Sequence, residues 1–99
     1  MGVPTRRKKN MPKKIYPFKI GKKYLIRTVT YFSLGQLERI EGGFLVLSQA
    51  SWVADTGRFT QALETGKLSE VEITGECYVN IDSVVDVFPW EHELPKTQI

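Results

Sequence analysis

The stretch "GQLERIEGGFLVLS", residues 35–48, holds the pattern that decides the fold. Apolar residues separated by polar ones lead to Glu41, and a short apolar run follows Gly42 and Gly43. Two adjacent glycines supply the positive φ angles that a tight turn between antiparallel strands requires. The stretch therefore predicts a β-hairpin over residues 34–48.

The segments around this hairpin predict further strands and one helix. The alternation in "KYLIRTVTYFS", residues 23–33, leaves both faces partly apolar, which is typical of a strand covered on both sides. Alternation returns in "EVEITGECYVNIDSVVDVF", residues 70–88, and Pro89 ends it. Between them, "RFTQALETG", residues 58–66, spaces apolar residues three and four apart before a final glycine, so it predicts a short helix at about 58–65.

The chain is long enough for one small domain and carries its charge unevenly. It has 99 residues and a formal net charge of +3, and this length leaves little material for a second core. Residues 1–23 contain nine Lys or Arg and no acidic residue, whereas residues 24–99 contain five basic and eleven acidic residues. We predict a flexible basic arm at 1–14, a β domain at 15–88 and an extended C-terminal tail at 89–99.

The basic arm has two interpretations. It is either a solvated tail, or a segment that neutralises phosphates on nucleic acid or an acidic protein surface, with an affinity that falls as salt rises. In the nucleic-acid interpretation, arginines and an exposed aromatic side chain of the body add to the contact. The candidate nucleic-acid-binding residues are Arg6, Arg7, Lys8, Lys9, Lys13, Lys14, Arg27, Arg39 and Tyr31.

Composition argues against a membrane protein, a secreted protein and a metalloprotein. The sequence has no run of 18 uncharged apolar residues and no secretory leader. We therefore expect a cytoplasmic location, or a virion if a phage encodes the chain. Cys77 is the single cysteine and His92 the single histidine, which leaves no thiolate and imidazole set for a structural zinc. We expect no metal, no cofactor and no small-molecule substrate.

The stretch "VADTGRF", residues 53–59, contains the Asp-Thr-Gly triplet of retroviral-type aspartic proteases. That chemistry needs two carboxylates that share one proton, held in a fixed loop of a dimer. Here Arg58 and a helical pattern follow the triplet, and the late apolar run "SVVDVF" contains no glycine to brace such a loop. We therefore predict a protein that is not an enzyme, in which Asp55 caps the helix and Gly57 permits the sharp entry.

Two stretches resemble the motifs of the Sm-like superfamily, above all its bacterial host-factor RNA chaperones. In "GQLERIEGGFLVLS", Gly35 matches the bend glycine, Leu37 and Ile40 match apolar positions, and Glu41 matches the usual aspartate. The stretch "YVNIDSVVDV", residues 78–87, is similar to the second motif. The resemblance implies a mainly β fold: a small, strongly bent, five-stranded barrel, here with one short inserted helix and the basic arm.

The same resemblance implies rings of five to seven subunits that join strand edge to strand edge and bind RNA. Ring closure removes sheet edges that would otherwise be open to aggregation. The expected interface residues are Tyr78, Val79, Ile81, Val84, Trp52 and Trp90. The family's RNA-binding side chains are not reproduced, because Gly42 and Gly43 follow the acidic turn position and Val79-Asn80 replaces the basic pair.

Two functional hypotheses follow from the sequence. The first is a non-enzymatic, ring-forming Sm-like module that binds RNA or another nucleic acid through its basic arm. The second is a structural or assembly protein, for instance of a phage particle, whose arm docks on an acidic neighbour and whose Trp90 tail latches onto an adjacent subunit. The stretches "IRTVT", "WVADTGRF" and "PWEHELP" resemble small bacterial and phage proteins, which favours an assembly component and implies no activity.

Overall fold

Five β-strands form one antiparallel sheet in the computed structural model, which describes residues 16–99. The strand order across the sheet is β4-β3-β2-β1-β5. The predicted mainly β class with one short helix is confirmed. The elements are β1 (Lys23–Thr28), β2 (Phe32–Glu41), β3 (Phe44–Asp55), α1 (Phe59–Thr65), β4 (Glu70–Asn80), a 3-10 helix (Ile81–Ser83) and β5 (Val84–Pro89).

The predicted hairpin is formed by β2 and β3. Gly42 and Gly43 connect the two strands with φ angles of +59° and +83°, as a two-residue turn between twisted strands requires. The third strand continues beyond the predicted end of the hairpin, up to Asp55. It does so across an irregularity at Gln49, which has a φ of +50°. The sequence pattern breaks there because a bulge shifts the side-chain alternation by one residue.

The three strands β2, β3 and β4 are all irregular at one level of the sheet. The pairing of β2 with β3 shifts between Leu34 and Gln36, and the pairing of β3 with β4 shifts between Leu47 and Ala50. Bulges bend a strand and increase its twist. The aligned irregularities therefore form a bend line across half of the sheet.

Glycines make this bend line possible. A Cβ at Gly35 would lie 3.0 Å from the Cβ of Leu47 and 3.1 Å from the carbonyl oxygen of Ser48, so β2 and β3 approach too closely there for a side chain. On the other side of β3, Gly75 pairs with Ala50 and has a φ of +83°. An L-residue is disfavoured by roughly 1–2 kcal/mol in that region of backbone space.

The bend rolls the sheet so that its two terminal strands approach one another. Strands β4 and β5 lie at opposite ends of the strand order, yet only the three residues of the 3-10 helix connect them. That connection is too short to cross a flat sheet of five strands spaced about 4.8 Å apart. The inner side of the roll holds one buried cluster, here called the inner cluster: Tyr24, Ile26, Leu37, Leu45, Leu47, Ala50 and Val79.

The roll is not closed into a barrel. Within residues 16–99, β4 and β5 do not pair with each other, so the sheet keeps two ends. The prediction that the sheet closes into a barrel is therefore wrong. One end of β4 is instead bonded to the end of the chain, because Val71 and Ile99 exchange two backbone hydrogen bonds of 3.3 and 3.2 Å.

The helix and the C-terminal segment cover the other face of the sheet. They complete a second buried cluster, here called the outer cluster, to which they contribute Ala62, Trp90 and Leu94. The whole outer cluster consists of Leu25, Leu34, Val53, Ala62, Leu68, Val71, Trp90 and Leu94. Phe59 packs between Phe32 and Phe88, with ring centroids 5.7 and 5.0 Å apart. Both faces of β1 are thus covered, as the sequence predicts.

The helix ends where the tail begins to pack on it. Gly66 has the left-handed conformation of a C-terminal cap, as predicted, and its amide bonds to the carbonyl of Ala62. The His92 ring lies against Gly66, and its Nε2 is 2.7 Å from the carbonyl oxygen of Leu63 in the last turn. Because a carbonyl oxygen only accepts hydrogen bonds, Nε2 carries the proton and donates it. This contact fixes the tail to the helix.

The predicted helix cap is wrong. Asp55 ends β3, and its Oδ1 accepts a hydrogen bond of 2.8 Å from the amide of Gly57. The N-cap residue is Arg58, whose side chain makes no capping hydrogen bond. Asp55 lies too far ahead of Phe59, the first helical residue, to reach the free amides of the first turn. It stabilises the strand-to-helix turn instead.

Alanine substitutions should show that the bend line carries the stability of the fold. We expect Gly75→Ala to lose about 1–2 kcal/mol through backbone strain alone, since a Cβ there meets no neighbour within 4 Å. Gly35→Ala should lose about 1–3 kcal/mol because backbone atoms of β3 must move. Urea unfolding measures both values. Gly42→Asn is the matched control and should be nearly neutral, since asparagine tolerates that turn position; equal losses in all three variants would contradict this assignment.

Substitution of Asp55 separates its turn role from catalysis. Asparagine presents the same oxygen to the Gly57 amide, so Asp55→Asn should unfold at nearly the wild-type urea concentration, whereas Asp55→Ala should lose about 1 kcal/mol. Equal losses in the two variants would show that the hydrogen bond is unimportant. Peptidase activity that disappears in Asp55→Asn would instead assign a catalytic role to this carboxylate.

Candidate functional site

A cleft lies where the rolled sheet stays open. The turn between β1 and β2 forms one wall with Val29 and Tyr31, and the paired ends of β3 and β4 contribute Phe44 and Tyr78. Its volume is about 590 Å³. We call it the aromatic cleft.

The walls of the aromatic cleft expose apolar surface. Val29 is 86% exposed and Tyr78 is 58% exposed, and Tyr31 and Phe44 are exposed as well. Trp52 extends this surface, because its ring lies 4.9 Å from that of Tyr31. Contiguous apolar surface of this kind on a small protein marks an interaction site more often than a chance arrangement.

The floor of the cleft is polar and contains a cysteine that is not activated as a nucleophile. Ser33 is buried, and Cys77 is half-buried beside it. Burial raises the pKa of the Cys77 thiol, and a hydrogen bond with Ser33 opposes that shift. His92, the single imidazole of the chain, lies beside Trp90 and the helix, whereas Cys77 packs against the inner cluster. The two are therefore not brought together, and Cys77 has no neighbouring base to activate it.

The electrostatic character of the cleft is weakly acidic. Asp82 is the one charged residue among those that line it in the described part of the chain. Its amide bonds to the side chain of Asn80, and this bond caps the 3-10 helix at the cleft rim. Its carboxylate makes no salt bridge with any residue between 16 and 99. The cleft therefore suits a cation better than a phosphate.

The two arginines predicted to bind nucleic acid are already paired. Arg27 donates two hydrogen bonds, of 2.9 and 2.7 Å, to the carboxylate of Asp86 on β5. Arg39 donates a 2.7 Å hydrogen bond to Glu41. The Arg27 hydrogen bonds hold the pKa of the exposed Asp86 carboxyl below its usual value. These carboxylates compete with any phosphate for the same guanidinium groups.

The remaining predicted nucleic-acid residues lie in two places. Tyr31 is exposed and forms a wall of the aromatic cleft. The six basic arm residues lie outside the described residues: Arg6, Arg7, Lys8, Lys9, Lys13 and Lys14.

The residues predicted to form a subunit interface divide into buried and exposed ones. Val79 belongs to the inner cluster, and Ile81 and Val84 pack against it. Trp90 is 2% exposed and belongs to the outer cluster of its own chain. Of the six, Tyr78 and Trp52 present large exposed surfaces.

The outer edges of β4 and β5 are the second notable surface. The Ile81 amide bonds to Gly43 and the Trp90 amide bonds to Lys23, and antiparallel ladders alternate inward and outward amides. The amides of Tyr78 and Val87 therefore point away from the sheet.

Apolar side chains accompany these outward amides. Val85 is 52% exposed on β5, and Ile73 is exposed on β4. A groove of about 370 Å³ follows β5, with Pro17, Phe18 and Val84 among its lining residues. Sequence reasoning missed Val85 and Ile73, although adjacent valines at 84 and 85 imply that one of them faces outward.

Sequence comparisons do not place the chain in a family. No family model matches it, and a search of curated proteins found no significant match. In the described part of the chain, no helix has the length and hydropathy to cross a membrane, and no three His, Cys, Asp or Glu side chains converge as metal ligands.

The pairing of Arg27 with Asp86 predicts a pH-dependent contribution to stability. Because folding lowers the Asp86 pKa, this contribution is present above the unfolded value of about 3.9 and is lost as pH falls through the folded value. Asp86→Asn should therefore lower the urea midpoint at pH 7 and leave it unchanged at pH 2. Arg27→Gln should behave in the same way, and the double variant should add little. A deficit of equal size at both pH values would contradict the ion-pair explanation.

Proposed function

We propose that this chain is a non-enzymatic, self-associating module of Sm-like architecture whose copies join edge to edge. The observation that carries the proposal is the open sheet: both terminal strands expose backbone donors and apolar side chains on their outer edges. Edges of this kind invite pairing with another strand. A contact of β4 in one copy with β5 in the next uses two different surfaces, so repetition leads to a closed ring when the rotation fits.

The bent sheet of five strands agrees with the Sm-like resemblance, but the proposal rests on the open sheet and does not require the resemblance. The resemblance implies a strongly bent sheet of five strands, joined to its neighbours at the strand edges. Gly35, matched to the bend glycine of the first motif, stands at the bend line, where a Cβ would crowd backbone atoms of β3. A ring of five to seven copies is the assembly that the resemblance implies.

Nucleic acid binding in this proposal depends on the basic arm. The described residues 16–99 contain eight basic and eleven acidic residues, a net charge of −3, and two of the basic residues are Arg27 and Arg39, which are ion-paired. Residues 1–15 contain six basic and no acidic residues. Phosphate contacts therefore fall to the arm, with a strong dependence on salt.

The second candidate, an assembly protein of a phage particle or another homo-oligomer, is favoured by the same charge division. A basic arm and an acidic body are complementary between identical copies, so docking of arm on body needs no nucleic acid. In this case Trp90 serves its own chain, where it is buried, and does not latch onto a neighbour.

Charged substitutions on the two edges test self-association. The mass of the full chain, measured by sedimentation over a wide concentration range, should exceed that of a monomer. Val85→Lys and Ile73→Lys should each shift the protein towards the monomer, because a lysine on a buried edge opposes strand pairing. Gln61→Lys adds the same charge to an exposed position of the helix and is the matched control. A monomeric full chain at high concentration, or edge variants that associate like the control, would overturn the proposal.

The same preparations distinguish the two candidates by their retention on random RNA. The first candidate predicts retention that weakens between low and moderate salt and disappears when the six arm residues are changed to Gln. Arg27→Gln should retain RNA like the unchanged protein, because its guanidinium is engaged by Asp86. An oligomer that shows no salt-sensitive retention removes nucleic acid from the proposal and leaves the assembly protein.

A further inference from the structure

The aromatic cleft combines ring faces with a carboxylate that forms no salt bridge within residues 16–99. Tyr31, Phe44 and Tyr78 line it together with Asp82, and no lysine or arginine between residues 16 and 99 does so. The faces of aromatic rings attract cations, and a carboxylate beside them strengthens that attraction. The same set of groups repels phosphate. The cleft is therefore built for a positively charged side chain.

The chain carries a cluster of cations ahead of its first described residue. Residues 6–14 contain six lysines and arginines and no acid to neutralise them. The described body has a net charge of −3, so arm and body attract each other.

The first described residues include two that line the groove along β5. Tyr16 stacks on Phe18, and Phe18 packs edge-on against Tyr24, with 5.8 Å between ring centroids in both pairs. Pro17 and Phe18 line the groove along β5 together with Val84, and the preceding residue, Ser83, lines the aromatic cleft. The two concavities thus adjoin at the end of the 3-10 helix.

The chain between Pro17 and the basic residues is long enough to reach the cleft. Position 14 lies three residues before Pro17 and position 6 lies eleven residues before it. At about 3.3 Å for each extended residue these separations span roughly 10 to 36 Å. A segment that starts at the groove along β5 is therefore long enough to reach the cleft with several of its basic residues.

We propose that the aromatic cleft is a docking site for the basic segment 6–14 of the same chain, which folds back over the 3-10 helix and places a lysine or arginine against Tyr31, Tyr78 and Asp82. The docked segment covers the exposed apolar walls and neutralises the Asp82 carboxylate. Nucleic acid competes for the same cations, so binding of a polyanion releases the segment from the cleft. This site goes beyond the proposed function, because it requires neither self-association nor nucleic acid.

Disulfide formation in the full chain tests the docking, because the single native cysteine lines the cleft. In Lys9→Cys, oxidised glutathione should link position 9 to Cys77 within one chain, and mass spectrometry after digestion should identify the linked peptides. The matched control places the partner thiol elsewhere, in a chain that carries Lys9→Cys, Cys77→Ser and Lys67→Cys. Lys67 is exposed just after the end of the helix and does not line the cleft.

The link to Cys77 should form about tenfold faster than the link to position 67, since docking raises the local concentration of the arm at the cleft. The comparison is conservative, because the half-buried Cys77 has a raised pKa and reacts less readily than an exposed thiol. Asp82→Asn, Tyr31→Ala or high salt should each slow the link to Cys77 and leave the control unchanged. Equal rates to the two positions would overturn the proposal.

It is also decisive whether the disulfide forms within one chain or between two copies. Disulfides between two copies in place of links within one chain would contradict the proposal and assign the cleft to a neighbour's arm. Nuclear magnetic resonance of the protein without the Lys9→Cys substitution provides a second measure of docking. The ring signals of Tyr31 and Tyr78 should shift when the six arm residues are changed to Gln, and unchanged signals would count against docking.

Discussion

The bend line across β2, β3 and β4 is the constraint on which the rest of the structure depends. Gly35 allows two strands to approach within the space of a side chain, and Gly75 takes a backbone conformation that other residues resist. The bend turns a flat ladder into a roll, and the roll encloses the inner cluster. It also brings the ends of β4 and β5 near enough for a three-residue 3-10 helix to join them.

Incomplete closure of that roll creates both candidate surfaces. The gap between the β1–β2 turn and the end of β4 becomes the aromatic cleft, and the outer edges of β5 and of β4 beyond Val71 are the sites at which we propose strand addition. The body and the arm also differ in charge. Arg27 and Arg39 are held by carboxylates within the sheet, and residues 16–99 have a net charge of −3, whereas residues 1–15 contain six basic and no acidic residues. In our proposals self-association uses the sheet edges, whereas polyanion binding and intrachain docking compete for the same basic residues of the arm.

Sequence reasoning succeeded where local conformation decides the structure. The hairpin depends on Gly42 and Gly43, and the helix end depends on Gly66, so neighbouring residues suffice to predict them. It failed where long-range packing decides. The alternation of β4 does not reveal whether its edge pairs with β5, and the burial of Trp90 depends on a helix far away in sequence. The cleft was invisible for the same reason, since its walls come from three separate turns and strand ends.

Amide hydrogen exchange tests the central claim, an open roll that completes its edges by pairing with further copies, most directly. In dilute solution the amides of Tyr78 and Val87 should exchange freely, whereas ladder amides between β2 and β3 stay protected. At high concentration those two edge amides should become protected, and the ladder amides should change little. Edge amides that are protected at every dilution would show a sheet closed within one chain, and edge amides that exchange freely at every concentration would show that the edges do not pair; either result would contradict the claim.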